Sequence, residues 1–459
     1  MTLKSGKIDA LGEKPIHNPP IIYTSMFQPP RGTRDYLPED QMKRNWVVDQ
    51  VRTVFEAYGY EPLGTPAFEN LDMLQIKSGE DIINQIYAFK DKSDRELALR
   101  FEHTASTVRV VATHRDLVMP FKRYTIGPVW RYERPTEKRF REFWQADVDI
   151  FGVADSVADA EVLAAAVEGL SKLGFEGFII TINDRRILKS MVALAGVPEE
   201  RSLDAFRAVD KLGKIGREGV VEELRGVSPY EEASERLLDM ISLKGKPEDV
   251  LGSAAETLKD YPEGLAGCEA LSSLVEYAKA FGFAKYITVD LCLARGLDYY
   301  TGPVFEVLAV GYEDYGSIAG GGRYDEIVQL FGGEPTPATG ISFGIDRLTP
   351  ILEEKGAFAG LNLGAEVYVA PVNESVKLDA VRITQTLRNA GVSAIVDMMG
   401  RRLGKQFEYA DKKNIPVVVV VGEKDLALGE VTVRDMKTGD QQKVKLDDLI
   451  DYVAELSLG

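Results

Sequence analysis

Cysteine, histidine and long apolar runs are what this chain of 459 residues has least of. It holds two cysteines, Cys268 and Cys292, and three histidines, His17, His103 and His114. Neither cysteine belongs to a Cys-x-x-Cys pair and the histidines lack metal-ligand spacing, which argues against a disulfide framework or a zinc site; no metal-ligating residues are expected. A serine–histidine triad has almost nothing to be built from, and His103 and His114 read as structural or surface residues. No apolar stretch approaches the ~20 residues of a membrane helix, and the run 417–421 fits a buried strand of a parallel sheet. The first residues, Met1-Thr-Leu-Lys-Ser-Gly6, lack the apolar core of a secretory signal, so a cytoplasmic chain without membrane association is expected.

Positive charge is also short. Lysine and arginine number 55 against 72 aspartates and glutamates, leaving a formal charge of −17. Averaged over the surface, that balance works against nucleic-acid binding, which draws most of its affinity from neutralising phosphates. Two local groupings reverse the average: Arg131, Arg134, Lys138, Arg139 and Arg141, then Arg401, Arg402, Lys405, Lys412 and Lys413. Each reads either as a solvated face or as a phosphate contact. The length allows two or three domains with sizeable cores.

What is present concentrates in three segments. Leu293-Ala-Arg-Gly-Leu-Asp-Tyr-Tyr-Thr-Gly302 and Ala319-Gly-Gly-Gly-Arg-Tyr-Asp325 gather an arginine fork, phenols, carboxylates and bare backbone. Such a mixture suits a small zwitterion together with a nucleotide. Alone, three glycines can be a turn and two tyrosines an apolar strand face. The third segment, Arg123-Tyr-Thr-Ile-Gly-Pro-Val-Trp-Arg-Tyr-Glu-Arg-Pro135 running on through Arg139-Phe-Arg-Glu-Phe-Trp-Gln-Ala-Asp-Val-Asp-Ile-Phe-Gly152, makes coincidence a poor explanation. Gly320-Gly-Gly322 is not a P-loop, because Arg323-Tyr324 follows where Gly-Lys-Ser/Thr would be required.

On these segments the chain resembles the histidyl-tRNA synthetases, a family of class II aminoacyl-tRNA synthetases, over nearly all of its length from Arg31 onward. Arg31-Gly-Thr-Arg-Asp-Tyr-Leu-Pro-Glu-Asp40 is similar to that family's opening, residues 123–152 to class II motif 2, and Thr339-Gly-Ile-Ser-Phe-Gly-Ile-Asp-Arg-Leu348 to motif 3. The segments carrying Arg295 and Gly-Gly-Gly-Arg-Tyr are similar to its two histidine-specific signatures. Glu142-Phe-Trp-Gln-Ala-Asp-Val-Asp149 resembles archaeal and eukaryotic-type members. The resemblance implies a homodimeric ligase that uses ATP, with Mg²⁺ on its phosphates, to activate L-histidine and pass it to the 3′ end of tRNA(His).

Joining a carboxylate to the α-phosphate of ATP needs no general base, since the nucleophile is already ionised; it needs fixed positive charge and in-line positioning. The resemblance assigns that work to Arg131 and Arg295 as the catalytic pair. It places Glu133, Arg139 and Arg347 with Arg131 around ATP, Glu133 at the adenine amino group and the two other arginines on the outer phosphates. Glu102, Thr104 and Gln145 match the ammonium-binding positions; Asp149 and Tyr300, with Tyr299 and Tyr324 beside them, match the imidazole end. A pocket that pairs both ring nitrogens rejects analogues by a factor of about 10⁴ or more, which removes the need for editing. Two positions depart from many relatives: His103 replaces a small or apolar residue, and Asp149 is one methylene shorter than the Glu often found there. A regulatory relative, a subunit of the first enzyme of histidine biosynthesis, usually lacks the C-terminal domain and has eroded motifs; here Arg131, Arg295, Arg347 and that domain are all present.

The expected organisation is an α/β chain: an N-terminal extension over 1–28, an α+β catalytic domain over 29–183 and 263–360 built on an antiparallel sheet, a helical insertion over 184–262, and an α/β anticodon-binding domain over 365–459. Apolar spacing predicts a helix over 40–58 and another over 155–173. Strands are predicted over 97–101, 122–132 and 143–151, all in one antiparallel sheet, and over 177–183. Alternating strand and helix signals from 366 to 421, then a hairpin over 430–445 and a last helix over 446–456, give the C-terminal unit. The loop 134–138 is the part of motif 2 that the resemblance sends to the tRNA 5′ end.

Overall fold

The computed structural model describes residues 27–76, 80–225, 231–294, 299–359, 361 and 364–457. The predicted N-terminal extension therefore lies, but for its last two residues, outside the described residues, as does Arg295. In chain order the strands are β1 (Glu61–Pro62), β2 (Phe68–Asn70), β3 (Ala88–Lys90), β4 (Glu96–Leu99), β5 (Phe121–Trp130), β6 (Glu142–Phe151), β7 (Phe178–Asp184) and β8 (Ile287–Val289). They continue with β9 (Pro303–Ala309), β10 (Ala319–Arg323), β11 (Ala338–Gly344), β12 (Val367–Pro371), β13 (Ala394–Val396), β14 (Val417–Val421), β15 (Glu430–Asp435) and β16 (Gln441–Lys445). Eight of them form one sheet in the order β1-β5-β6-β11-β10-β9-β7-β8, antiparallel except where β1 and β8 join its two ends.

Strand alternation sorts this sheet into two unlike faces. On one, Tyr124, Ala146, Val148, Ile150, Ile341 and Phe343 are buried against helices. The helix Pro38–Ala57 supplies Val47, Val48, Val51 and Phe55 to that core, opening on a proline and two acids that suit a helix start. Phe55 lies 5.9 Å from both Tyr124 and Phe343 by ring centroids. Helices Val157–Lys172 and Ile345–Glu354 cover the rest of the face. The opposite face carries polar residues and glycines and is left for ligands.

One predicted strand pairs elsewhere. The 97–101 strand appears as β4 but joins β2 and β3 in a separate three-stranded sheet, order β2-β4-β3. β-propensity marks a strand without naming its partner. The two sheets are tied by Arg100, whose guanidinium donates to Pro128 O at 3.0 Å and Thr65 O at 2.9 Å. Pro62 at the end of β1 and Pro66 between β1 and β2 have no N–H to offer, and the ladder ends with Leu63 N donating to Tyr124 O.

From Asp184, which caps the next helix by accepting from Arg186 N at 2.9 Å, the described residues up to β8 are helices joined by short turns. Its longest helix, Pro262–Phe281, crosses Arg185–Leu194 at two glycines: a Cβ at Gly264 or Gly267 would lie 2.8 Å from Ser190 or Ile187. The C-terminal sheet runs β13-β12-β14-β15-β16, parallel through its first three strands and antiparallel after, with apolar clusters on both faces. Its last helix is Leu449–Ser457, preceded by a single 3₁₀ turn. Among the described residues, no helix is long and apolar enough to cross a membrane.

Candidate active site

The ligand face of the large sheet is built from rows of residues in register across strands. Arg123, Asp149, Gly340 and Gly322 form the first row; Thr125, Asp147, Ser342 and Gly320 the second; Gly127, Gln145 and Gly344 the third. Glycine in the first row has a steric cause. A Cβ at Gly340 would overlap the Asp149 carboxylate, and one at Gly322 would lie 2.9 Å from the Tyr300 ring. Bare backbone lets the functional side chains from neighbouring strands lie flat over it.

At the first row, Asp149 is buried, ion-paired with Arg123 and accepts from the Tyr324 hydroxyl. Burial pushes its carboxyl above the usual range, and Arg123 opposes that push. The Tyr299, Tyr300 and Tyr324 rings cluster with centroids 4.9 to 6.3 Å apart. All three hydroxyls are raised, by burial first, and so stay protonated donors. Tyr299 donates to Glu102 Oε2 at 3.0 Å, while Glu102 Oε1 accepts from Ala105 N at 2.9 Å at the start of the helix Thr104–Thr113. The Glu102 carboxyl is also raised by burial, against hydrogen bonds and Arg131. Beneath it His103 is fully buried and driven down to about 3 by desolvation, then by Arg100 and Arg123. It is neutral, so its Nε2, 3.3 Å from Gly127 O, carries the proton and donates.

Asp149, Glu102 and the three tyrosines line a cavity of about 120 Å³. A second cavity, of about 210 Å³, adjoins it and is lined by Glu133, Arg139, Phe140, Asp346 and Arg347. Arg131, Gln145, Gly320 and Ser342 belong to both. Arg131 is held by donating from Nε to Phe101 O at 3.0 Å, with its guanidinium 5.3 Å from the Phe143 ring centre. Arg347 donates to Ser317 O; burial, followed by Arg139 and Arg131, holds it below the usual arginine value. Three guanidiniums that destabilise one another call for an anion. Arg139 and Glu133 are ion-paired, so each must release the other before taking a ligand.

Arg347 is positioned from behind. Asp346 accepts from Trp144 N at 2.6 Å and from the Tyr36 hydroxyl at 2.5 Å, and lies 3.6 Å from the buried Arg44. The opening segment of the chain thereby braces motifs 2 and 3 together. In the motif 2 loop, Lys138 pairs with Asp314 and sits 3.7 Å from the Tyr315 ring centre.

Every described site residue expected from the sequence lies at one or both of the two cavities: Glu102, Thr104, Asp149, Tyr299, Tyr300 and Tyr324 at the smaller, Glu133, Arg139 and Arg347 at the larger, Arg131 and Gln145 at both. Arg123, Asp147 and Ser342 were not anticipated. Their signal is a polar residue at every second position of strands otherwise rich in apolar residues. Asp147 is buried, accepts from the Ser342 hydroxyl, and is pushed up to about 7, chiefly by burial.

Comparison with known proteins agrees with this geometry. A family model described as histidyl-tRNA synthetase matches residues 32–348, and one described as anticodon binding domain matches 366–456. The chain is 40% identical over 429 residues to a histidine–tRNA ligase of Pyrococcus furiosus, covering 93% of this chain and 99% of that one. It is 39% identical over 431 residues to a histidine–tRNA ligase of Methanocaldococcus jannaschii, with 93% and 99% covered. A crystal structure of histidyl-tRNA synthetase from Nostoc sp. PCC 7120 superimposes with a TM-score of 0.82 at 32% identity, covering 94% of this chain and 99% of that one. Likeness that runs nearly end to end, and includes the C-terminal domain that regulatory relatives usually lack, settles the matter: the chain belongs to the histidyl-tRNA synthetase family and is an ATP-using aminoacyl-tRNA ligase that joins histidine to tRNA.

Proposed function

We propose that the smaller cavity takes histidine, the larger takes ATP, and Arg131 stands where the two substrates react. The wall shared by the cavities carries this reading, because a carboxylate and an α-phosphate must meet within bonding reach. In the first step a carboxylate oxygen of histidine attacks the α-phosphorus and the bond from that phosphorus to the β-bridging oxygen breaks. Pyrophosphate departs with the electron pair, and no proton has to move. Arg131 would receive the charge that grows on the α-phosphoryl oxygens, joined by Arg295 on the strength of the family resemblance. Arg139 and Arg347 would hold the outer phosphates, with Glu133 at the adenine. In the second step a hydroxyl of the terminal tRNA ribose attacks the adenylate carbonyl, its O–H bond gives up a proton, and AMP leaves with the electron pair of the broken acyl–phosphate bond.

For histidine itself, Asp149 with Tyr300 and Tyr324 would pair the imidazole, and Glu102, Thr104 and Gln145 the ammonium. Bringing an ammonium to Glu102 restores to that carboxylate the charge partner its burial denies it. Mg²⁺ would travel with ATP, held by phosphate oxygens and water.

The same reading takes 29–183 with 263–360 as the catalytic domain, 184–262 as the insertion facing the acceptor arm of tRNA(His), and 365–459 as the anticodon reader. Arg402, Lys412 and Lys413 are exposed on the last of these and available to phosphate. The reading includes a homodimer in the cytoplasm, as the family resemblance implies; the exposed pair Phe68 and Phe89, 6.3 Å apart on the small sheet, supports a covered face there. The test is a split in kinetic constants. Arg347→Ala should raise the KM for ATP and Glu102→Gln the KM for histidine, each by about tenfold or more. The reverse pattern would exchange the two cavities.

A further inference from the structure

The second row of the ligand face holds a chain of hydrogen bonds that the reaction above does not use. Gln145 Nε2 donates to Ser342 Oγ at 2.9 Å, and the Ser342 hydroxyl donates to Asp147 Oδ1. The order is imposed by chemistry. An ionised carboxylate can only accept, so the single Ser342 proton is spent on Asp147 and the serine oxygen can only accept in turn. That oxygen must therefore face the amide nitrogen of Gln145, which turns the amide oxygen outward. Gln145 Oε1 is buried and has no partner among the described residues. A buried, unpaired carbonyl oxygen at the wall of a cavity waits for a donor.

Resting on the assignment of the smaller cavity to histidine, we infer that Asp147, Ser342 and Gln145 form a one-way relay that keeps the Gln145 carbonyl aimed at the substrate ammonium. Asp147 is thus a positioning and specificity-determining residue. The groups that face its carboxyl are Arg123 on β5, Arg100 beyond β4, Asp149 on its own strand, Glu102 before the helix Thr104–Thr113, and the Tyr300 hydroxyl. Burial comes first and, with Asp149 and Glu102, opposes its charge, while Arg123 and the Ser342 hydrogen bond favour it; the balance leaves the carboxyl at about 7. When Asp147 takes a proton it becomes a donor. Ser342 can then turn its own proton toward Gln145, the amide rotates, and N–H groups face the ammonium instead of a carbonyl. The relay therefore links preference for an α-ammonium to the ionisation of Asp147.

The test uses the full-length enzyme in pyrophosphate exchange with Asp147→Asn, Ser342→Ala and the double variant. Asp147→Asn should raise the histidine KM by about tenfold or more, the worth of a hydrogen bond to a charged group, and leave the ATP KM within about twofold. Ser342→Ala keeps the charge and removes the relay, so it should act in the same direction; the double variant should be no worse than Asp147→Asn, since both break one device. The ratio of the two histidine KM values, Asp147→Asn over wild type, should shrink as pH falls through about 7, a comparison that cancels the titration of histidine itself. As competitors, histidinol, which keeps the ammonium, should bind Asp147→Asn more weakly, and imidazolepropionate, which lacks it, should bind unchanged. A histidine KM within about twofold of wild type, effects that multiply in the double variant, or a ratio flat in pH would each overturn the relay. Glu102→Gln separates the two levels of inference: if it too leaves histidine KM unchanged, the cavity assignment fails; if it alone raises it, only the relay does.

Discussion

Replacing Arg123 by methionine removes a charge that no ligand-binding scheme demands, and the structure says what should follow. Arg123 is fully buried and pairs with Asp149, itself buried. Without it the Asp149 carboxylate would stand unpaired in the sheet, and deleting one partner of a buried pair typically costs about 3–5 kcal/mol. Protonation sets a ceiling: neutralising a carboxyl of ordinary pKa about 3.9 at pH 7 costs about 4 kcal/mol. The sign in pH follows from proton counting. The native variant holds a neutral Asp149 while the unfolded chain above about pH 4 does not, so its stability falls as pH rises and its deficit against wild type narrows as pH falls toward 5. Trp46, Trp130 and Trp144 all lie between residues 38 and 151, so tryptophan fluorescence during urea unfolding reports this part of the chain alone. Adding Asp149→Asn to Arg123→Met should recover most of the loss, because both charges are then gone. A single variant within about 0.5 kcal/mol of wild type at pH 7, or a deficit that grows toward acid, would refute the pairing as the reason Arg123 is there.

Three further outcomes follow from named contacts. Gly340→Ala puts a methyl into the Asp149 carboxylate and 2.7 Å from Val148 O, so Asp149 must leave the imidazole end; histidine KM in pyrophosphate exchange should rise by about tenfold or more while ATP KM holds. Asp346→Asn can no longer accept from both Tyr36 and Trp144 with a full charge, so the helix carrying Arg347 loosens; ATP KM should rise several-fold and stability fall by about 1–3 kcal/mol, read by kinetics and urea unfolding. His103, held down to about 3, binds no proton in the native state at pH 5, whereas an unfolded histidine of pKa about 6.5 does; stability is lost as pH falls below that value, and His103→Gln should spare about 2 kcal/mol of the loss between pH 6.5 and 5.

The parts of the site that could be read from sequence are those whose chemistry is local. Arg131, Arg347, Gly320 and Gly321 stand in short segments where residue type and spacing already specify a role, and the structure gathers them at two adjoining cavities. Asp147, Ser342 and Arg123 were hidden because their meaning lies in register. Asp147 and Ser342 are 195 residues apart in the chain and meet only because β6 and β11 pair. Arg123 opposes Asp149 across β5 and β6. Strict attention to alternation would have exposed them: Arg123, Thr125 and Gly127 are every second residue of β5, and Gln145, Asp147 and Asp149 of β6. The misplaced strand β4 has the complementary cause. Its propensity is plain, yet the choice between two sheets is made by the side chain of Arg100 and the prolines around it, which no window of hydrophobicity registers. Helices were the most legible elements, since an apolar stripe such as Val47, Val51, Val54 and Phe55 is both the signal and the packing surface.

The most direct test of the account is histidine-dependent exchange of pyrophosphate into ATP by the full chain, without tRNA, run beside the other amino acids and beside Arg131→Ala. Exchange driven by histidine alone, and lost in that variant while the protein stays folded, is what two cavities joined at Arg131 predict. Exchange that any other amino acid supports equally, or that survives intact without Arg131, would contradict it.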